Sequence, residues 1–146
     1  MVSLLTVKNP KKPETSFAAK QMKTSLPVIL IVEDDEDSRL MLKMFLETWN
    51  YLVIEAENGK VAVWIAEKIR PDLILMDVKL PYLDGFDATR RIRESAKGGS
   101  VPVVFLSGCA EANYKNAESA AGGNEYLVKP LDFEELRSVL GKYIHH

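Results

Sequence analysis

From Pro27 onward, short apolar runs alternate with segments of helical periodicity, and this alternation constrains the fold of the chain most strongly. Strands are predicted near 28–33, 51–56, 72–77, 102–107 and 124–128, with helices near 36–49, 58–69, 84–95, 110–121 and 132–144. Such alternation is typical of a parallel sheet that is covered by helices on both faces. The sequence therefore predicts an α/β fold, a doubly wound parallel sheet of five strands.

The predicted helices differ in how much apolar surface they offer. The first carries six apolar residues, which predict a broad buried stripe: Leu40, Met41, Leu42, Met44, Phe45 and Leu46. The helix predicted at 110–121 offers mostly alanine methyl groups, so at about 25 cal/mol per Å² it should bury little and be loosely held. Close packing against the sheet is the alternative, because small side chains also permit it.

The first residues of the chain differ from the rest in composition. Residues 1–25 hold five lysines, one glutamate and two prolines without a sustained period, in a chain of 146 residues with a formal charge of −2. We therefore expect a mobile, lysine-bearing N-terminal arm over residues 1–26 and one folded domain over 27–146. A cloning remnant, or a short helix that docks only on a partner, is the alternative interpretation of the arm.

The overall composition excludes several classes of function. The small negative charge predicts no general affinity for nucleic acid or for membrane surfaces. No apolar stretch approaches the roughly 20 residues of a membrane span. The one cysteine, Cys109, rules out an internal disulfide and fits a reducing cytosol, so a cytoplasmic location is expected.

Carboxylates stand at the ends of two predicted strands. Asp77 ends the most apolar run of the chain, and Glu33, Asp34 and Asp35 end the first run. Parallel strands bring their carboxyl ends to one edge of the sheet, where open α/β sheets bind ligands. Acidic groups that lie together in this way predict a divalent cation, and oxygen ligands suit Mg²⁺. The absence of a His or Cys cluster argues against zinc.

Two further polar residues end strands at the same edge. Ser107 follows the fourth apolar run and Lys129 follows the fifth. A carboxylate beside Mg²⁺ can act as a nucleophile toward phosphorus, forming an aspartyl phosphate. Phosphoryl transfer needs positioning and charge neutralisation, which a lysine and a hydroxyl group can supply.

These residues and their spacings resemble the receiver domain of two-component response regulators, over about residues 27–144. The resemblance rests on five segments taken in order: Ile29 to Asp35 (ILIVEDD), Leu75 to Pro81 (LMDVKLP), Asp84-Gly85, Val103 to Gly108 (VVFLSG) and Tyr126 to Pro130 (YLVKP). It implies a flavodoxin-like (βα)5 fold with strand order 2-1-3-4-5, similar to the stand-alone chemotaxis regulators.

The resemblance also implies the roles of the acidic residues. Asp77 would be the phospho-acceptor and a metal ligand. Asp34 would bind Mg²⁺ directly and Glu33 through water, and Lys79 would offer its backbone carbonyl to the metal.

The remaining roles fall on the fourth and fifth strands. Ser107 would be the switch hydroxyl, Tyr126 the switch aromatic and Lys129 the lysine that contacts the phosphoryl group. The peptide bond between Lys129 and Pro130 would be cis.

The function implied is that of a phosphorelay signalling module, with no enzymatic activity beyond slow self-phosphorylation and self-dephosphorylation. A sensor histidine kinase or a histidine phosphotransfer protein would phosphorylate Asp77. A downstream protein target would read the surface made by the fourth helix, the fifth strand and the fifth helix of the prediction. The sequence leaves open a phosphorylation-dependent homodimer and indicates no direct contact with nucleic acid.

Two other functions are weighed against this one. An aspartate-nucleophile phosphatase usually needs a second aspartate two residues after the nucleophile, and that position holds Lys79. A phosphorylation-independent interaction module would be expected to have lost the acceptor, the acidic pair or the lysine, and all are present.

Overall fold

The computed structural model of the protein describes residues 25–108, 116 and 120–145. Within them it has five strands, β1 (Val28–Val32), β2 (Leu52–Ala56), β3 (Leu73–Asp77), β4 (Val103–Ser107) and β5 (Glu125–Val128). The helices described are α1 (Glu36–Thr48), α2 (Gly59–Ile69), α3 (Gly85–Glu94) and α4 (Phe133–Tyr143). These elements lie where the sequence predicted them, with ends that differ by one residue at most.

The five strands form one parallel sheet in the order β2-β1-β3-β4-β5, which confirms the predicted fold class and strand order. Of the three inner strands, β3 and β4 are buried at every residue and β1 at all but Val28, as expected for strands that carry helices on both faces. The carboxyl ends of β3 and β4, at Asp77 and Ser107, are therefore buried as well.

Two apolar cores lie on opposite faces of the sheet. On one face, β-strand residues such as Ile74 and Phe105 pack with α2 and α3. On the other face, residues such as Ile31 and Leu106 pack with α1 and α4. Because both faces are covered, the polar strand ends are left as the part of the inner strands that a ligand can reach.

The prediction that α1 buries a broad apolar stripe is wrong. Only Leu42 and Leu46 are buried in this helix, whereas Leu40, Met41 and Met44 are 53%, 52% and 60% exposed. A helix that packs on a sheet buries a stripe of roughly 100° of its circumference, and six apolar residues within seven positions extend beyond such a stripe. The surplus apolar residues of α1 therefore face away from the core.

Aspartate side chains fix where three of the helices begin. Asp35 accepts a hydrogen bond from Ser38 N at the start of α1, Asp84 accepts one from Asp87 N at the start of α3, and Asp132 caps α4 in the same way. Two of these caps, Asp35 and Asp84, lie in loops at the edge of the sheet where the inner strands end. The caps therefore also fix the loops around Asp77.

Two predictions fall on residues that the structure does not describe. Most of the helix predicted at 110–121 lies outside the described residues, and so do all residues of the N-terminal arm before Ser25. The loose packing of that helix and the boundary of the arm stay predictions. In the described parts of the chain, none of the helices has the length and apolar character needed to cross a membrane.

We predict that the two sides of α1 contribute very differently to stability. Leu46→Ala should lower the free energy of unfolding by about 2–5 kcal/mol, because it leaves a cavity in the core. Met44→Ala, two residues away on the exposed side, should change it by no more than about 0.5 kcal/mol. Urea denaturation of both variants checks this, and similar losses in the two would contradict the described orientation of α1.

Candidate functional site

Four polar side chains meet at the carboxyl edge of the sheet. Glu33 follows β1, Asp77 ends β3, Ser107 ends β4 and Lys129 follows β5. Glu33, Asp77 and Ser107 are buried, although polar groups of this kind are mostly found at protein surfaces. The structure thus brings together residues that are as far apart in the sequence as Glu33 and Lys129, as the strand order predicted.

Lys129 joins the two buried carboxylates. Its Nζ donates hydrogen bonds to Glu33 Oε1 at 2.9 Å and to Asp77 Oδ2 at 3.1 Å. The Lys129 side chain keeps about a third of its surface exposed, so the site opens to solvent on the lysine's side. The ammonium group partly offsets the repulsion between two negative charges that share a buried position.

A third carboxylate completes an acidic cluster. One oxygen each of Glu33, Asp34 and Asp77 lie within 4.8 Å of one another, and Asp34 is exposed whereas the other two are buried. Three carboxylate oxygens at an open site fit a small hard cation that retains some of its water, as Mg²⁺ does. The geometry therefore agrees with the metal ligands predicted from the sequence, apart from the Lys79 carbonyl discussed below.

Burial raises the pKa of Asp77 from 3.8 to about 6, with the nearby Glu33 carboxylate adding to the rise. The positive charge and hydrogen bond of Lys129 act in the opposite direction and limit the increase. A carboxylate with this pKa is mostly ionised at neutral pH, which a nucleophile requires, yet it is poorly solvated.

The partners of Asp77 stay charged. Burial alone would raise the pKa of Glu33, but the hydrogen bonds from Lys129 and from the Asp35 backbone outweigh it and lower the pKa. For Lys129, burial favours the neutral form, but the two carboxylates outweigh this effect and raise its pKa. The site at neutral pH is thus a lysine cation held between two carboxylates.

The loop after β1 is held by contacts that the sequence analysis missed. Arg39 Nη1 donates to the Glu33 backbone oxygen at 2.9 Å, and Arg39 Nε pairs with Glu55 on β2 at 3.0 Å. The backbone N–H of Asp35 donates to Glu33 Oε2 at 3.1 Å. Arg39 therefore holds the acidic loop against the sheet, and its role could not be seen in sequence because Glu55 is a long-range partner.

Gly85 allows the loop after β3 to lie close to Asp77. A Cβ atom at Gly85 would lie 2.3 Å from the Asp77 backbone oxygen, closer than any side chain can approach. Gly85 N also donates to Val78 O at 2.8 Å, so α3 begins in direct contact with the end of β3. The glycine of the Asp84-Gly85 pair is therefore required sterically, because any side chain there would clash with the end of β3.

The ends of β4 and β5 are joined to each other. Lys129 N donates to Ser107 O at 2.7 Å, which places the serine and the lysine side by side. The peptide bond between Lys129 and Pro130 is cis, as predicted. Tyr126 pairs in register with Phe105 and is half-buried against the same core. Ser107 lies two residues after Phe105 on β4, so their side chains point to the same face of the sheet. Tyr126 is the register partner of Phe105 and therefore shares this face with Ser107.

Lys79 is exposed two residues after Asp77, as expected for a side chain that faces away from the site. No contact among the described residues tests the metal-binding role of its backbone carbonyl, which stays a prediction. Asp35, which also follows β1, acts as the N-cap of α1, and its hydrogen bonds with Ser38 lower its pKa.

An apolar groove opens from the site, and sequence reasoning missed it. The groove has a volume of about 250 Å³ and leads from Glu33 and Lys129 to Met41 on α1 and Phe133 on α4. The Phe133 ring, which lines the groove, stacks on Phe45 of α1 at 3.9 Å between centroids. Its apolar lining comes in part from α1 residues that were predicted to be buried.

Comparisons with known proteins agree with this geometry. A family profile described as "Response regulator receiver domain" matches residues 29–141. The protein PilH of Pseudomonas aeruginosa is 36% identical over 108 residues, which cover 74% of this chain and 89% of that protein. The family match includes all the polar residues of the site and, apart from Val28, all five strands.

Two solved structures share the fold. The receiver domain of the sensor histidine kinase PA1611 of Pseudomonas aeruginosa, described with a magnesium ion coordinated in its active-site cleft, is 37% identical with a TM-score of 0.77. The alignment covers 82% of this chain and 98% of that one. The receiver domain of Saccharomyces cerevisiae Ssk1, in complex with the histidine phosphotransfer protein Ypd1, is 29% identical with a TM-score of 0.75 and coverages of 82% and 89%.

The raised pKa of Asp77 predicts a pH-dependent cost to stability in metal-free buffer. The folded state holds the Asp77 proton up to about pH 6 and the unfolded chain only to about 3.8, so stability falls as pH rises through this window. At pH 7 the cost is at most about 3 kcal/mol, from about 1.4 kcal/mol per pKa unit. Asp77→Asn should therefore be more stable than the wild type at pH 7, by up to this amount.

Urea denaturation in EDTA at pH 4 and pH 7 measures the difference, which should shrink toward pH 4. Asp87→Asn removes an exposed carboxylate from α3 and serves as the matched control, without a comparable gain. Equal stability of Asp77→Asn and the wild type at pH 7 would contradict the burial of an ionised Asp77.

Proposed function

This chain belongs to the response regulator receiver domain family, and we propose that Asp77 is its phospho-acceptor. Receiver domains of two-component systems are phospho-accepting signalling modules rather than enzymes. The observation that carries the residue assignment is the pair of hydrogen bonds from Lys129 Nζ to Glu33 and Asp77. This contact joins two buried carboxylates to a cation, which supports Asp77 as the nucleophile.

We assign the metal site to Glu33, Asp34 and Asp77, with Mg²⁺ as the ion. Their clustered oxygens fit such an ion, and the related PA1611 receiver domain has magnesium in its active-site cleft. The Lys79 backbone carbonyl is included in the proposed ligand set. When bound, Mg²⁺ would neutralise negative charge on the carboxylates and on the phosphoryl oxygens.

The chemical step proposed is a transfer of a phosphoryl group to Asp77. A carboxylate oxygen of Asp77 forms a bond to phosphorus while the bond from phosphorus to the donor's histidine nitrogen breaks, and the electron pair remains on that nitrogen. Lys129 then contacts the phosphoryl oxygens instead of the Asp77 carboxylate, and Ser107 donates its hydroxyl hydrogen to another. Burial leaves the Asp77 carboxylate poorly solvated and raises its pKa to about 6, which still permits ionisation at neutral pH.

We propose that Tyr126 transmits the change. Phosphorylation adds roughly two negative charges and three acceptor oxygens, which should draw Ser107 and Lys129 toward Asp77. Ser107 and Tyr126 share a face of the sheet, and Phe105, the register partner of Tyr126, lies two residues before Ser107 on β4. A displacement of Ser107 would therefore change the space open to Tyr126, and with it the surface formed by β5, α4 and the residues before β5.

The partners proposed follow from this chemistry. The donor is a sensor histidine kinase or a histidine phosphotransfer protein, the class to which Ypd1 in the related complex belongs. A downstream protein target would read the Tyr126 surface, and the whole exchange would take place in the cytoplasm. A phosphorylation-dependent homodimer through the same surface stays a prediction.

Acetyl phosphate with Mg²⁺ tests the acceptor directly. Intact-mass measurement should show a gain of about 80 Da, one phosphoryl group, in the wild type. Asp77→Asn should show no gain, because an amide is not a nucleophile toward phosphorus. EDTA should abolish the gain in the wild type, since the acidic site then lacks the ion that neutralises it.

Asp87→Asn is the matched control, because it removes an exposed aspartate on α3 and should keep the gain. A gain of about 80 Da that survives in Asp77→Asn would overturn the assignment of the acceptor. Turnover of a chromogenic phosphate ester by the wild type would instead favour the phosphatase.

The switch is tested by hydrogen exchange. Beryllofluoride with Mg²⁺, which mimics the phosphorylated carboxylate, should change protection over residues 120–128, because Tyr126 is expected to change its packing. Ser107→Ala should reduce this change, since it removes the hydroxyl that links the phosphoryl group to β4. Unchanged protection in the wild type, with beryllofluoride bound, would refute the role of Tyr126.

A further inference from the structure

One side of α1 presents apolar side chains to solvent. Leu40, Met41, Met44 and Phe45 are 53%, 52%, 60% and 37% exposed, and we call these four residues the α1 apolar face. Their spacing along a helix brings them into one continuous stripe. An exposed apolar surface with a polar border is typical of an interaction site.

The border of the α1 apolar face is acidic. Four exposed acidic residues lie at the N-terminal end of α1: Asp34, Asp35, Glu36 and Asp37. Glu47 is exposed near its C-terminal end. The two basic residues of α1 do not balance this charge, because both hydrogen-bond to Glu55 of β2. A binding partner of this surface should therefore combine positive charge with apolar side chains.

The N-terminal arm has this composition. Its residues 1–25 contain five lysines and one glutamate, so its net charge is about +4 in a chain whose formal charge is −2. Between the lysines lie large apolar residues, including Leu5, Phe17 and Met22. The arm is thus complementary to the α1 apolar face in both charge and hydrophobicity.

The arm also joins the domain near the end of α1. Pro27 O accepts a hydrogen bond at 2.9 Å from the N–H of Leu52, the first residue of β2, four residues after Thr48 ends α1. From Leu26, a path along the 13 residues of α1 is about 20 Å long, which about seven extended residues can span. Lysines 8, 11 and 12, which lie 14 to 18 residues before Leu26, can therefore reach the acidic loop after β1.

We propose that the N-terminal arm binds the α1 apolar face of its own chain, with its lysines toward residues 34–37 and its apolar side chains on Met41 and Met44. A tether of this length gives the arm a local concentration in the millimolar range. An intrinsic dissociation constant of about 1 mM is therefore sufficient for the contact to be occupied about half of the time.

The contact can be measured in the unphosphorylated full-length chain. A nitroxide is attached to Ser16→Cys after Cys109→Ser has removed the native thiol. The methyl signals of Met41 and Met44 should lose more than half of their intensity at low salt, relative to the reduced label. The indole N–H of Trp64, exposed on α2 across the sheet, is the control and should be unaffected.

A second variant tests the charge complementarity. Replacing Lys8, Lys11 and Lys12 by Glu in the labelled chain should restore at least half of the lost signal, as should about 0.5 M salt. Intensity that is unchanged at Met41 and Met44, or lost equally at Trp64, would overturn the proposal.

Two further outcomes separate this idea from others. If a nitroxide-labelled chain broadens Met41 and Met44 of a separate, isotope-labelled chain to the same extent, the arm binds a second copy and the proposal for its own chain is wrong.

The gain of about 80 Da with acetyl phosphate is measured on the same samples. Its loss would refute the proposed function, whereas loss of the methyl broadening alone would refute only the arm contact.

Discussion

The contact of Lys129 with Glu33 and Asp77 is the interaction on which the rest of the site depends. Two carboxylates in a buried position repel each other, and each would tend to take up a proton. The lysine cation lowers the pKa of Glu33 and limits the rise of that of Asp77, so both can remain ionised at neutral pH. In the proposed function, the same lysine would meet the oxygens of the incoming phosphoryl group.

The parallel sheet makes this contact possible. Glu33, Asp77 and Lys129 follow three different strands, and they meet only because all strands end at one edge with β1 and β3 adjacent and β4 between β3 and β5. The loops at this edge are fixed by backbone contacts, including those of Arg39 with Glu33 and of Gly85 with the end of β3.

Sequence reasoning predicted the strands and the polar side chains that meet at their carboxyl ends, and it failed for the surface of α1. The strands were predicted because apolar runs bounded by polar residues have few other structures, and Asp77, Ser107 and Lys129 stand at their ends. The α1 stripe was misassigned because periodicity shows which residues could be buried, not how wide the sheet face beneath the helix is. Arg39 was missed for a similar reason, since its partner Glu55 lies on another element.

The sequence by itself determined the order and length of the elements, the strand ends that carry the polar residues and the N-caps of the helices, because these depend on neighbours along the chain. The tertiary structure decided the rest. It set the distances from Lys129 to two carboxylates, the pKa of Asp77 and the exposure of Met41 and Met44. Each of these depends on which elements pack together, and burial and Coulomb interactions act between residues that are distant in sequence.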